Sequence, residues 1–342
     1  MTHSDPADAP AEAGASQASP LVTILVCNYN YERYLAAALD SALAQDYRPL
    51  EIVVVDDGST DGSRAVLERY GDKIRPLFKA NGGQPSALNA GFRASHGEIV
   101  CLLDADDVML PGKVAQVAAA FASDPDAGWV YHELDYIGPD GRPISLAALP
   151  DRANVAALAR RRARYGKIAR LDLRAHFAAG ERLPYGCPAF SGLSFRRRAL
   201  DAILPMPEDI ARASDEFPKL AAAALFPGIH LGEPLALQRV HGANAATFRA
   251  DARAETAIRY INTAYHLRHR YGHIGRSMDK WFASCFGDLV GAVGPATALQ
   301  RPEARRYIAE HLDVIGLARQ APRIGLHAAW AWLARREAHW PA

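Results

Sequence analysis

Two aspartates separated by one residue follow an apolar stretch in the first third of the chain. Asp104 and Asp106 come directly after residues 98–103, EIVCLL, which have the length and composition of a buried strand. Because positions i and i+2 of an extended chain project to the same side, the two carboxylates can share one ligand. Such oxygen ligands suit Mg²⁺ or Mn²⁺, which can neutralise charge on a phosphate group. The spacing therefore predicts a divalent metal site; the alternative, which also applies to Asp107, is that these aspartates only form turns and helix caps.

Polar side chains also follow two earlier apolar runs. Residues 21–27 lead into the cluster Cys27–Tyr29, and residues 50–55 lead into Asp56 and Asp57. The carboxyl ends of parallel strands meet at one edge of a sheet, where ligands bind in open α/β folds. We therefore expect the three polar clusters to line a single site, although one of Asp56 and Asp57 can equally cap the following helix.

Apolar runs and helical patterns alternate from residue 21 to residue 122. This alternation predicts an α/β fold with a mainly parallel, Rossmann-like sheet flanked by helices. The run 74–79 contains Pro76 and is expected at a sheet edge. The other elements that we predict are helices over 34–44, 84–94, 111–122, 151–183, 215–225 and beyond 250, and strands over 128–133, 189–195 and 234–240.

The predicted elements divide the chain into four parts. Residues 1–19 are rich in Ala, Ser, Pro and acid, so we expect a disordered tail and not a signal peptide. Residues 20–127 carry the three polar clusters, and residues 128–249 complete the same α/β domain. Residues 250–342 are predicted to form a helical C-terminal extension.

Bulk composition argues against several classes of protein. Among 342 residues, 39 Lys and Arg nearly balance 38 Asp and Glu, so the net charge does not indicate a nucleic-acid partner. No run approaches the ~20 apolar residues that cross a bilayer. The four cysteines show no metal-ligand spacing, which favours a reduced, cytoplasmic setting.

The motifs occur together in one known family. The chain resembles the family 2 glycosyltransferases of the GT-A fold in the stretches VTILVCNYNYERYLAAALDSALAQDY, LEIVVVDDGSTDGS, NGGQPSALNAGFRASHGEIVCLLDADD, SGLSFRR and QRVHGAN. The resemblance is specific over residues 20–125 and looser over 185–245. It implies an inverting, non-processive enzyme that moves a sugar from a nucleotide-diphosphate donor, most commonly a UDP-sugar. The implied acceptor is a hydroxyl of a glycan, lipid-linked or other molecule, as in bacterial surface-polysaccharide synthesis.

The resemblance also implies residue roles in the donor-binding half, residues 20–127. Asp106 would hold Mn²⁺ or Mg²⁺, while Asp104 would contact the ribose and reach the cation only indirectly. Asp57 would accept a hydrogen bond from the edge of the base. The other residues implied to bind the nucleotide are Cys27, Asn28, Tyr29, Glu32, Asn81 and Gln84, with Asn89 a further candidate.

In the acceptor-binding half, residues 128–249, the resemblance implies a carboxylate that removes the proton from the attacking hydroxyl. We assign Asp215, at the start of the predicted helix 215–225, as this base, with Glu216 the alternative. The competing interpretation is that these acids cap the helix. The remaining implied roles are a metal ligand at His241, a phosphate contact at Arg239 and room for a sugar at Gly192.

A basic cluster lies in the middle of the chain and admits two interpretations. Arg160–Arg164, with Lys167 and Arg170, can contact anionic headgroups and hold the protein peripherally at the inner face of the membrane. The alternative is a solvated face of a helix.

Two other functions share part of this pattern. A sugar-phosphate nucleotidyltransferase would carry a Gly-rich, Arg-containing loop after the first strand, where this chain has NYNYE over residues 28–32. A catalytically inert nucleotide-sugar-binding protein would lack Asp106 or the acceptor-side acid, and the chain has both. A glycosyltransferase is therefore the favoured function.

Overall fold

The structure is a computed structural model that describes residues 19–149, 155, 159, 167–181, 188–210, 215–241 and 253–338. Its centre is a ten-stranded sheet that includes strands from both halves of the α/β domain. The predicted α/β fold is therefore confirmed.

Four parallel strands form the first part of the sheet, in the order β3-β2-β1-β4. They are β1 (Val22–Asn28), β2 (Leu50–Asp56), β3 (Arg75–Phe78) and β4 (Ile99–Asp104). The apolar residues of β1 are buried along its whole length, because helices cover both faces of a parallel sheet. β3 is short, partly exposed and at the edge of the sheet, as the proline at position 76 predicts.

Helices that connect these strands cover the sheet: α1 (Glu32–Leu43), α2 (Ser63–Glu68), α3 (Gly83–Ala94) and α4 (Lys113–Ser123). α1 buries Leu35, Ala38, Leu39 and Ala42, whose spacing of three and four residues places them on one face. α4 begins two residues later than predicted, because Gly112 has a left-handed backbone with φ of 76° and cannot continue a helix from Pro111.

The second part of the sheet mixes strand directions. Its strands are β5 (Val108–Met109), β6 (Trp129–Ile137), β7 (Pro143–Ile144), β8 (Ile168–Leu171), β9 (Leu193–Arg196) and β10 (Gly228–Arg239). β9 lies between β4 and β6 and is antiparallel to both. β10 runs parallel to β6 and antiparallel to β5. The associated helices are α5 (Arg174–Ala179), α6 (Arg197–Ile203) and α7 (Glu216–Leu225).

Two predictions in this part are wrong. The predicted helix 151–183 is interrupted by β8, which pairs with the edge of β10; pairing with a neighbouring strand overrides the local helical tendency. The predicted strand 189–195 begins instead with a 3₁₀ turn over Phe190–Gly192, and only then becomes β9.

Part of the basic cluster, Arg160–Arg164, lies outside the described residues. Arg170 lies in β8, and its Nε donates to Asp124 Oδ2 at 2.6 Å. This arginine is therefore engaged in a surface ion pair, and the membrane interpretation stays a prediction.

The C-terminal region is helical over the described residues, as predicted. Its helices are α8 (Arg253–Arg270), α9 (Gly275–Val293), α10 (Pro295–Gln300), α11 (Pro302–His311) and α12 (Val314–Ala338). They enclose a core of their own, in which the rings of Phe282 and Tyr307 stack with centroids 4.1 Å apart. Among the described residues, no helix combines the length and the apolar character that crossing a membrane requires.

Candidate active site

The carboxyl end of β4 leads into the acidic loop, which we define as Asp104–Asp107. One carboxylate oxygen from each of Asp104, Asp106 and Asp107 lies within 4.8 Å of the other two. Asp106 and Asp107 are buried and Asp104 is partly so. The loop therefore brings the predicted metal-binding aspartates together, and Asp107 with them.

Electrostatics within the acidic loop favour a cation. Burial raises the pKa of Asp104 well above its usual range, and the charges of Asp106, Asp107 and Asp215 raise it further. Burial and the charge of Asp106 raise the pKa of Asp107 to about 8. A divalent cation would offset this repulsion, because a nearby opposite charge stabilises the ionised carboxylates. The three hard oxygen donors fit Mg²⁺ or Mn²⁺.

The raised pKa of Asp107 predicts a pH dependence of stability in the metal-free protein. Its folded pKa, about 8, exceeds the value of about 3.9 expected for an unfolded chain. The contribution of this carboxyl to the free energy of unfolding is therefore fully present below about pH 4 and is lost as pH rises through 8. We expect the Tm of the native chain in EDTA to fall more steeply between pH 6 and pH 8 than the Tm of Asp107→Asn. Parallel Tm profiles from calorimetry would contradict this expectation.

The end of β10 brings two predicted residues to the acidic loop. His241 Nε2 lies 3.0 Å from Asp106 Oδ2, and the Nε of Arg239 donates to the backbone oxygen of Asp106 at 2.8 Å. The Arg239 guanidinium also donates to the backbone oxygen of Gly138 at 3.0 Å. Arg239 therefore supports the backbone of the loop, and its predicted contact with phosphate stays a prediction.

Aromatic rings from α1 and the turn before it enclose His241. The ring of Tyr34 lies 4.9 Å from that of His241, between centroids, and the ring of Tyr31 lies 5.9 Å away. Tyr31 is also close to the acidic loop: burial raises the pKa of its hydroxyl, and the charge of Asp106 and a hydrogen bond to it raise this pKa further. Neither Tyr31 nor Tyr34 is among the predicted site residues; the cluster of tyrosines that follows β1 is the signal in the sequence that could have indicated them.

The turns after β1 and β2 are tied to each other by side-chain hydrogen bonds. The Nδ2 of Asn28 donates to Asp56 Oδ2 at 2.8 Å, and the backbone N–H of Ser59 donates to Asp56 Oδ1 at 2.9 Å. Asp56 therefore joins the two turns and does not cap α2, whose first residue follows Gly62 with no side-chain cap. The prediction that Asp56 or Asp57 caps this helix is wrong.

Asp57 is buried and surrounded by donors from the turn after β3. Its carboxylate accepts hydrogen bonds from the backbone N–H groups of Gly82 and Gly83, the latter at 2.7 Å. The Nζ of Lys79 donates to Asp57 Oδ1 at 2.6 Å, and the Asn81 amide donates to the Asp57 backbone oxygen at 2.9 Å. The structure thus places Asp57 and Asn81 together and adds Lys79, which sequence analysis missed. Contact of Asp57 with a base stays a prediction.

The remaining residues predicted to bind the nucleotide lie along the same edge. Sheet register places Cys27 beside Asp104, and burial raises the pKa of the Cys27 thiol. Tyr29 is exposed. The carboxylate of Glu32 accepts a hydrogen bond from the Gly62 backbone N–H at 2.7 Å.

Two residues predicted on α3 have different surroundings. The Nε2 of Gln84 donates to Asp104 Oδ1 at 3.2 Å, so Gln84 reaches the acidic loop. The side-chain amide of Asn89 bonds instead to the backbone of Met206, with both contacts at 2.9 Å. Positions five residues apart point to different sides of a helix. Asn89 therefore does not face the edge of the sheet that carries the acidic loop.

The two acids predicted to serve the acceptor lie at the start of α7. Asp215 Oδ2 lies 2.9 Å from the Nζ of Lys219, and Glu216 Oε1 lies 2.8 Å from it. Asp215 is the N-cap residue of α7, but its side chain makes no capping bond to the helix backbone, so the prediction of side-chain capping by Asp215 is wrong. Glu216 lies in the first turn, where the helix dipole favours an acid. Asp215 lies close enough for its charge to raise the pKa of Asp104. Lys219 was missed because a lysine four residues after an acid is usually an exposed helix pair.

Gly192 is required by close packing. A Cβ at this position would lie 2.6 Å from the Cβ of Pro188 and 2.9 Å from the backbone oxygen of His132. The absence of a side chain therefore allows the 3₁₀ turn to pack against Pro188 and the backbone of His132. The predicted role of Gly192 beside a sugar stays a prediction.

Known proteins similar to this chain are glycosyltransferases. The family model described as glycosyl transferase family 2 matches residues 23–191. An uncharacterized glycosyltransferase of Nostoc sp. is 35% identical over 252 residues, which are 70% of this chain and 73% of the relative. An uncharacterized glycosyltransferase of Rickettsia prowazekii is 48% identical over 96 residues, which are 28% of this chain and 30% of the relative.

The fold has a counterpart among solved structures. Residues 1–349 of S. aureus TarS, solved in complex with UDP, match with a TM-score of 0.52 and 17% sequence identity, and the match covers 94% of this chain and 93% of that TarS fragment. The predicted GT-A fold with a helical C-terminal region is thereby confirmed. The family match and the Nostoc relative identify this chain as a glycosyltransferase. This chain belongs to glycosyl transferase family 2.

Proposed function

We propose that this glycosyltransferase moves a sugar from a nucleotide-diphosphate donor, a UDP-sugar, to a hydroxyl of a glycan or lipid-linked acceptor with inversion at the anomeric carbon. The observation that carries the proposal is the convergence of three carboxylates within 4.8 Å at the edge of the sheet. Convergent carboxylates at this edge suit a cation bound together with a diphosphate.

Asp104 and Asp106 are the residues that would hold Mn²⁺ or Mg²⁺, with His241 beside Asp106. A cation bound there would stabilise the negative charge of the departing nucleoside diphosphate. Asp57 and its surrounding turn would bind the base, and the presence of UDP in the TarS structure supports a uridine nucleotide. Gln84, bonded to Asp104, would lie against the ribose.

The acceptor side requires a proton acceptor. As the acceptor oxygen forms its bond to the anomeric carbon, the bond from that carbon to the diphosphate oxygen breaks, and Asp215 takes the hydroxyl proton. The proximity of Asp215 to the acidic loop, shown by its effect on the pKa of Asp104, supports this role. Lys219 holds the Asp215 carboxylate in place through the contact at 2.9 Å. We further propose that the enzyme acts in the cytoplasm, with peripheral membrane contact through the basic cluster.

A donor screen tests the proposal directly. We expect UDP, among UDP, GDP, ADP and CDP, to give the largest rise in Tm, and we expect EDTA to abolish the rise. A ligand that binds only the folded state at 100 times its Kd stabilises the protein by about 2.7 kcal/mol, which is several degrees in Tm. No stabilisation by any of these nucleotides with Mn²⁺ or Mg²⁺ would refute the donor site.

A further inference from the structure

A serine between the two halves of the domain bonds to two members of the acidic loop. Ser191 lies in the 3₁₀ turn before β9 and is completely buried. Its Oγ accepts a hydrogen bond from the backbone N–H of Asp104 at 3.0 Å and donates to Asp107 Oδ2 at 2.6 Å. One hydroxyl therefore connects the beginning of the acidic loop to its end.

A buried lysine anchors the turn that carries this serine. The Nζ of Lys113, at the start of α4, donates to the backbone oxygen of Ser191 at 2.7 Å. Lys113 is completely buried, so moving the turn away would leave a buried amine without this acceptor, which is costly. The hydroxyl of Ser191 is thus held at a defined position beneath the acidic loop.

Asp107 differs from the other two aspartates in its contacts. Its Oδ2 accepts from the Ser191 hydroxyl, and its Oδ1 accepts from the backbone N–H of Arg239 at 2.8 Å. Both of its oxygens therefore connect the loop to the acceptor-binding half. This arrangement gives Asp107 a structural contact on each oxygen, in addition to its place beside Asp104 and Asp106.

We propose that Ser191 is a positioning residue that preorganises the acidic loop for its cation, acting through Asp107 and the backbone of Asp104. This inference rests on the proposed metal site. Without the hydroxyl, Asp107 Oδ2 loses a donor and the Asp104 N–H loses an acceptor in a buried site. The three carboxyl groups then have fewer restraints on their relative positions. Residues that orient metal ligands typically contribute about 10- to 100-fold to metal affinity.

The test compares Ser191→Ala with Ser194→Ala. Ser194 is equally buried but lies in β9 beside Cys101. Titration calorimetry of Mn²⁺ into each protein saturated with UDP measures metal affinity without requiring turnover. We expect Ser191→Ala to weaken Mn²⁺ binding about tenfold and Ser194→Ala to leave it within twofold of the native chain. Equal affinities for the two variants would overturn the role of Ser191.

A double-mutant cycle identifies the route of the effect. If Ser191 acts through Asp107, Ser191→Ala should weaken Mn²⁺ binding less in an Asp107→Asn background than in the native chain. If the effects of Ser191→Ala and Asp107→Asn on the free energy of Mn²⁺ binding were fully additive, Ser191 would not act through Asp107. Should Ser191→Ala fail to fold, Ser191→Cys, which keeps a weaker donor, should bind Mn²⁺ with reduced affinity; native affinity for this variant would overturn the proposal. If the native chain binds no Mn²⁺ with UDP, the metal site itself fails, which is distinct from failure of Ser191 alone.

Discussion

Asp106→Asn is expected to lower kcat/KM about a thousandfold and to abolish Mn²⁺-dependent binding of UDP. The substitution keeps the size of the side chain but removes one of three convergent carboxylates and weakens the charge that would hold the cation. Loss of a group that stabilises developing charge in a transition state typically costs about 100- to 1,000-fold, and a cation supplies several kcal/mol of such stabilisation. Initial rates with a UDP-sugar and calorimetry with UDP and Mn²⁺ measure the two effects.

An exposed aspartate provides the control for Asp106. Asp72 is exposed and precedes the amino end of β3, whereas the acidic loop follows the carboxyl end of the parallel strand β4. Asp72→Asn should therefore retain native rates and native UDP binding. A variant Asp106→Asn that still binds UDP in a Mn²⁺-dependent manner would contradict the assignment of the cation to this loop.

Asp215→Asn is expected to lower kcat about a thousandfold while leaving Mn²⁺-dependent UDP binding within twofold of the native chain. A general base contributes about 100- to 10,000-fold to a rate, and the amide cannot accept the hydroxyl proton. Glu216→Gln is the matched variant, because both acids contact the same buried Lys219 at nearly equal distances. We expect Glu216→Gln to retain more than a tenth of the native rate.

The pair of variants also decides between the two candidate bases. A large loss of kcat in Glu216→Gln with near-native turnover in Asp215→Asn would assign the base to Glu216. A loss of UDP binding in Asp215→Asn would indicate that this carboxylate serves the donor site. Single-turnover rates with saturating donor separate these outcomes from effects on product release.

The sheet around the acidic loop could be predicted because its signals are local. β1, β2 and β4 are continuous apolar runs, and each one leads directly into the polar residues that it positions. Parallel alignment at one edge then follows from the alternation with helices. Asp104 and Asp106 lie together at the end of β4, as the sequence predicts.

Residues that support the site could not be predicted, because their partners are distant in the chain. Ser191 bonds to Asp107 across 84 positions, and Lys113 bonds to Ser191 across 78. A lone serine or lysine carries no pattern that reveals such a contact. β8 could not be predicted for the same reason, because its four residues form a strand by pairing with β10, which is distant in the chain.

The interlocked order of strands restricts how this enzyme can be recombined with its relatives. β9, from the second half, separates β4 from β6, and β5, from the first half, pairs with β10. In a chimera joined after residue 127, the pairs β4–β9 and β5–β10 would each combine one strand from each of the two parent proteins. Exchange of the second half should succeed only when the grafted β9 and the end of β10 keep the native residues that face the acidic loop. Altered acceptor preference is thus more accessible through substitutions within the existing scaffold than through exchange of whole halves.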